Sequence, residues 1–138
     1  MHTMTISTIR LEGQRSVIPK QANLEDFERA MVFAAWVHRG CAWWLGDMVN
    51  RGIQRHGDRF WQAVPEGFSL DALNRYATVC RKVPAEIRRS ELSYTHHMKV
   101  ANFPPHQIPR LLDIAVTENM NSQQFAKYLA KERKKYVA

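Results

Sequence analysis

Ser69-Leu70-Asp71-Ala72-Leu73-Asn74-Arg75-Tyr76-Ala77-Thr78-Val79-Cys80-Arg81-Lys82-Val83-Pro84 is the stretch whose reading decides the fold. Ser69 is a preferred N-cap residue, since its hydroxyl can accept from an unsatisfied backbone N–H of a first helical turn. Leu70, Leu73, Ala77 and Cys80 recur at helical spacing, with Tyr76 beside them. Pro84 ends the helix, because proline lacks an N–H and biases Val83 away from helical backbone. A helix over residues 70–82 follows, with that apolar set facing a core. Its opposite face carries Asp71, Asn74, Arg75, Thr78, Arg81 and Lys82.

Upstream, a short helix over residues 58–64, capped by Asp58, runs into the turn Pro65-Glu66-Gly67-Phe68. Helix, short turn and second helix is the order of a helix-turn-helix, whose second helix enters the DNA major groove. Asparagine can read adenine, arginine guanine, and threonine a thymine methyl or a phosphate. Asn74, Arg75, Thr78 and Arg81 are therefore the candidate groove-facing residues. Lys82, Arg88, Arg89 and Lys99 are the candidate phosphate contacts, which position a protein without specifying sequence. By periodicity alone, the same residues read better as the solvated face of an amphipathic helix; the charge balance and the order of the surrounding elements bring the two readings level.

Downstream, Pro84 suits the first turn of a short helix over residues 85–89. Ser93 caps a helix over residues 94–102, which Pro104-Pro105 ends. A helix over residues 106–119 must hold Pro109 in its first turn. Met120-Asn121-Ser122 makes a turn and cap, and the last helix runs into Lys131-Glu132-Arg133-Lys134-Lys135. Toward the N-terminus, Asn23 caps a helix whose stripe is Leu24, Phe27, Met31, Ala34, Ala35 and Val37, stopped at Gly40. A second helix covers residues 43–56, in which Gly46 and Gly52 permit close packing. Residues 1–22 read as a flexible basic arm, or as an edge strand over residues 5–11 if a partner pairs with it. The expected architecture is all-α, about six helices with a helix-turn-helix and a basic C-terminal helix. Residues 23–138 form one helical domain, with the helix-turn-helix core at about 58–130.

The chain has 138 residues and a net charge of +7. That balance favours an anionic partner, nucleic acid before an anionic membrane surface. No run of about 18 apolar residues marks a membrane span. Cys41 and Cys80, two isolated cysteines among apolar neighbours, read as buried free thiols and suggest a reducing, cytoplasmic setting.

The element order after residue 70 resembles the helix-turn-helix region of the partition proteins (ParB/KorB). The resemblance is carried by the helix over 70–82, then Val83-Pro84-Ala85-Glu86-Ile87, then Leu92-Ser93-Tyr94-Thr95-His96-His97. In that family a recognition helix leads to a Leu-Pro-Glu-Glu-like segment and a Leu-Ser-x-Gly-His-Ala-like helix start. Here His96 replaces the family's glycine and His97 takes the histidine place. No partition-type nucleotide-hydrolysing or arginine-patch segment precedes the motif. Trp43-Trp44-Leu45-Gly46-Asp47 and His56-Gly57-Asp58 look more like small phage and plasmid proteins sharing the histidine motif. The resemblance implies DNA binding on a mobile element and does not imply segregation activity. The expected function is that of a transcriptional regulator or partition-like accessory on double-stranded DNA, and a homodimer is expected because paired half-sites increase affinity and specificity.

Other chemistry is thin. Adjacent helical residues point about 100° apart, so His96 and His97 do not share one ligand face. A zinc site would need further ligands, and no metal or other cofactor is expected. His97 reads instead as a structural histidine beneath the recognition helix. Asp47 and Asp58 could balance Arg51 or Arg55. No nucleophile–base pair, phosphate loop or dinucleotide fingerprint is present, so no enzyme is expected. The alternative function is a protein-interaction module, a phage protein that binds and inhibits a host factor. Trp43 and Trp44 cannot both face one direction, and the exposed one would serve that role.

Overall fold

The computed structural model describes residues 3–135. β1 (Thr3–Ile6), β2 (Ile9–Glu12) and β3 (Arg15–Val17) form an antiparallel sheet in that order. Then come α1 (Leu24–His56), a 3-10 segment (Gly57–Ala63), α2 (Leu70–Lys82) and a 3-10 turn (Ala85–Ile87). The helix expected over residues 58–64 is thus a 3-10 segment, and no side chain caps it, Asp58 included. α3 (Tyr94–Val100), a 3-10 turn (Pro105–Gln107), α4 (Ile108–Thr117) and α5 (Ser122–Arg133) complete the chain. The fold is thus mostly helical but not all-α.

The sheet stands where a flexible arm was expected, and the single edge strand becomes three strands. Two tight turns close this segment on itself, with Thr3 opposite Glu12 and Arg10 opposite Val17. Ser7 (φ 57°) and Gly13 (φ 49°) supply the left-handed backbone that two-residue hairpin loops require. Ile9 is buried, and the Ser7 hydroxyl donates to the Asp26 carbonyl at 3.1 Å. Residues 1–2 of the expected arm and 136–138 of the expected domain lie outside the described residues.

α1 is one helix of 33 residues where two helices, broken at Gly40, were expected. Gly40 does not adopt positive φ, unlike Gly57 (φ 60°), which does end the helix. Inside a helix a glycine costs only about 1 kcal/mol relative to alanine, so it need not stop one. Asn23 caps α1 as expected: the Asp26 N–H donates to its side chain at 2.9 Å, and the Asp26 carboxylate accepts from the Asn23 N–H at 3.0 Å.

The chain divides into two compact units, Met1–Cys41 and Ala42–Ala138, with the boundary inside α1. The expected apolar stripe of the first unit does not form a core. Leu24, Phe27, Met31, Ala34 and Ala35 are exposed, and the half-buried positions are Asp26, Ala30, Phe33, Val37 and Gly40.

The second unit holds two apolar clusters. Val49, Leu73 and Ala77 are the buried centre of the first, with Phe60, Trp61 and Val64 packed on it. This joins the end of α1, the 3-10 segment and α2. The larger cluster includes Val83, Val100, Ile108, Leu111, Leu112 and Phe125 and joins α2 to α5. Gly46 lets α1 approach α2 closely: a Cβ there would lie 2.5 Å from the Tyr76 carbonyl oxygen. At Gly52 a Cβ would overlap the Phe60 ring.

Candidate nucleic-acid interface

Ser69 caps α2, accepting from the Ala72 N–H at 3.2 Å. The turn before it uses Gly67 at φ 103°, a backbone conformation that disfavours any Cβ. The buried side of α2 is Leu73, Ala77, Val79 and Cys80. Leu70, expected in the core, is exposed, since it sits in the first turn beyond the packed region. The outward side carries Asp71, Asn74, Arg75, Arg81 and Lys82, all exposed, with Thr78 half-buried among them. Asn74, Arg75, Thr78 and Arg81 therefore share one stripe.

That stripe is braced from behind. Asn50 on α1 donates to the Ala77 carbonyl at 2.8 Å, and its side-chain oxygen accepts from Arg81 at 2.7 Å. Arg81 also donates to the Thr78 hydroxyl at 3.2 Å, which in turn donates to the Asn74 carbonyl at 2.9 Å. Sequence reasoning missed Asn50. Its signal is a polar residue four positions after Gly46, on the face where α1 meets α2. Lys82 is held at the end of α2 by Asn102, at 2.7 Å.

Arg88 and Arg89 occupy different surroundings. Arg88 makes a two-pronged pair with Asp47, both bonds 2.9 Å, and donates to the Val83 carbonyl at 2.8 Å. Its guanidinium lies 4.2 Å from the Trp43 ring centroid. The Arg88 hydrogen bond holds the Asp47 carboxyl below its ordinary pKa. So Asp47 pairs with Arg88 rather than with Arg51 or Arg55. Arg89 pairs with Asp113 at 2.9 Å and donates to the Ile87 carbonyl. Both guanidiniums are spent largely on tying loops to helices. Lys99 is half-buried on α3, one element removed from the α2 stripe.

The histidine pair is structural in geometry. His97 is buried; its Nε2 accepts from the Arg89 N–H at 3.0 Å, so Nδ1 carries the proton and donates to the Ser93 carbonyl at 2.7 Å. Burial lowers its pKa. His96 completes a capping box with Ser93 through Nδ1, and its Nε2 faces the Met120 carbonyl at 2.9 Å. The two rings thus point apart, one toward the loop at Arg89 and one toward α5. Among the described residues no group of three metal-ligand side chains converges.

Trp43 packs edge-on against Tyr94 and His97, at 5.0 and 4.9 Å between centroids. Its neighbour Trp44 is exposed. Cys80 is buried, and burial pushes its thiol up to about 12, whereas Cys41 is exposed rather than buried as expected. In the C-terminal tail, Lys135 is taken up by Glu132 at 3.0 Å, and Arg133 lies over the Phe103 ring. No helix among the described residues is long and apolar enough to cross a membrane.

The chain is similar to a protein named transcriptional regulator NovE from Streptomyces niveus, at 31% identity over 122 residues. The alignment covers 88% of this chain, which spans 56% of that protein's length. No family model matches the chain, and no solved structure does.

Proposed function

We propose that this chain binds double-stranded DNA and acts as a transcriptional regulator, with α2 as the recognition helix of a helix-turn-helix. The observation that carries the reading is the α2 stripe. Asn74, Arg75, Thr78 and Arg81 lie outward on one helix whose other side is locked into a core, and Asn50 fixes Arg81 from behind. Groups that read base edges gain specificity when their own positions are held. The name of the 31% identical relative favours regulation of transcription over partition. The mobile-element setting, a cytoplasmic location and a homodimer belong to the same proposal, and no catalytic step is assigned.

The roles divide by surroundings. Arg75 and Arg81 take base or groove contacts, with Asn74 and Thr78 beside them. Lys82 and Lys99 serve phosphates. Arg88 and Arg89 act chiefly by holding the loop between α2 and α3 against the helices. Arg75→Ala tests the reading most cleanly, because the fold draws little on that exposed side chain. Duplex retention in a mobility shift should fall at least about tenfold, the scale of one lost bidentate contact. Arg75→Ala combined with Arg81→Ala should abolish it with helicity unchanged, and full retention by the double variant overturns the assignment.

A second reading, a protein-docking module, draws on Trp44 and Met48, one helical turn apart and 37% and 55% exposed. It requires that Trp44→Ala remove partner binding while Arg75→Ala spares it.

A further inference from the structure

The first unit carries a pattern that the DNA reading does not use. Along α1, Glu25, Glu28, Val32, Ala35 and Arg39 recur at spacings of three and four residues, and all five are exposed. That is the period of a two-helix seam. Met31 and Trp36 flank it, and Val32, Met31 and Trp36 are 68%, 67% and 58% exposed. An open groove lined by Glu28, Val32, Phe33, Trp36 and Arg39 runs along the same side.

The seam is acidic at one end and basic at the other. Arg29 already pairs with Glu25 along the helix at 2.7 Å, which leaves Glu28 and Arg39 as the charges to be matched across it. Two such seams placed in parallel set Glu28 against Glu28 and Arg39 against Arg39. Placed antiparallel about a two-fold axis between Phe33 and Ala34, they set Glu28 against Arg39 twice and Val32 against Ala35 twice. Alanine opposite valine lets the helices approach closely, and Met31 meets Trp36 beside the seam. Opposite charges over an apolar centre select orientation and register in helix pairs.

We infer that residues 25–39 of α1 are a self-association seam, on which a second copy of this chain packs antiparallel. The occupant is argued from self-complementarity: a two-fold operation brings every charged seam position in 28–39 onto its opposite. The seam is about 20 Å long at 1.5 Å per residue. Two copies would cover on the order of 1,000 Å², the lower edge of a specific interface, so a moderate-affinity dimer is expected. The inference deepens the homodimer of the proposed function by giving it a surface; it rests on α1 and does not need α2 to touch DNA.

Sedimentation velocity of the full chain over a broad concentration series is the test. The expected result is a reversible monomer–dimer equilibrium. Val32→Glu should weaken it at least about tenfold without changing the circular dichroism spectrum, since the side chain is exposed in the single chain. Glu28→Arg and Arg39→Glu should each weaken it, because each places like charges together. The combined Glu28→Arg, Arg39→Glu chain should recover the dimer. A monomer at every concentration overturns the seam, as does a dimer indifferent to Val32→Glu or a double variant no better than the singles. A monomer that still binds duplex DNA overturns the seam while leaving the DNA reading intact.

Discussion

Residues 24–39 and residues 70–129 are written in the same helical code, yet the apolar residues end in opposite places. In the second stretch Leu73, Leu111, Leu112 and Phe125 are buried, because α2 to α5 follow one another through short turns and close on a shared centre. In the first stretch Leu24, Met31 and Val32 stay exposed, because that half of α1 has only a small sheet within its unit. Hydrophobic periodicity reports that a face needs covering. It does not report whether the cover comes from the same chain. The functional consequence is a division of labour: one region holds a polar stripe rigid, and the other keeps an apolar seam available.

The largest expected effect breaks the buried side. Phe125→Ala should destabilise the second unit by about 3–5 kcal/mol in chemical denaturation, whereas Met31→Ala, at a dilution where the chain is monomeric, should change stability by no more than about 0.5 kcal/mol. Similar losses at the two positions would contradict the contrast. Next comes Gly46→Val. A Cβ at that position meets the Tyr76 backbone, so α1 and α2 must separate, at about 1–3 kcal/mol. Duplex affinity should fall with it, because Asn50 then loses its hold on Arg81.

A smaller effect is expected for Arg88→Ala, read by thermal unfolding. It removes the Asp47 pair, a bond to the Val83 carbonyl and the cover over Trp43. Asp47 is about half exposed, so solvent screens the pair and a loss of about 1–2 kcal/mol is expected. The measurement also separates a structural arginine from a phosphate contact. If Arg88→Ala leaves stability untouched and lowers only DNA affinity, Arg88 belongs to the interface.

The smallest effect is a pH dependence. Burial lowers the pKa of His97 below its ordinary 6.5, so the folded state binds this proton less readily than the unfolded chain. The contribution is therefore complete above about pH 6.5 and is lost as pH falls toward the folded-state value. Unfolding free energy measured from pH 7.5 down to 5 should decline, and His97→Gln should flatten that part of the decline. An unchanged slope in His97→Gln would assign the pH dependence elsewhere.

Much of the second unit was legible in the residues. Ser69 and Ser93 cap the helices they were expected to cap, the turn at Met120-Asn121-Ser122 supplies the cap of α5, and Pro109 sits in the first turn of α4. Each of these is a local signal, settled by one turn of backbone. The continuity of α1 was not legible, since a helical glycine and a terminating glycine look alike in sequence. The sheet was missed because its strands are four residues or fewer and Ser7, not glycine, takes the left-handed turn position. Candidate site residues on α2 follow from periodicity, so their common face was readable. The partners of Arg88 and Arg89 lie 41 and 24 positions away, at Asp47 and Asp113, and no local pattern connects them.

Fluorescence anisotropy of a labelled random-sequence duplex across a salt titration reads DNA binding by the α2 face without any knowledge of the site. Each neutralised phosphate should add about 0.9 to the slope of log affinity against log salt. The expected result is micromolar or tighter binding at low salt, a slope corresponding to several phosphates, and a marked loss in Arg75→Ala with Arg81→Ala. No binding at low salt would contradict it, because affinity for the phosphate backbone should survive there whatever the sequence.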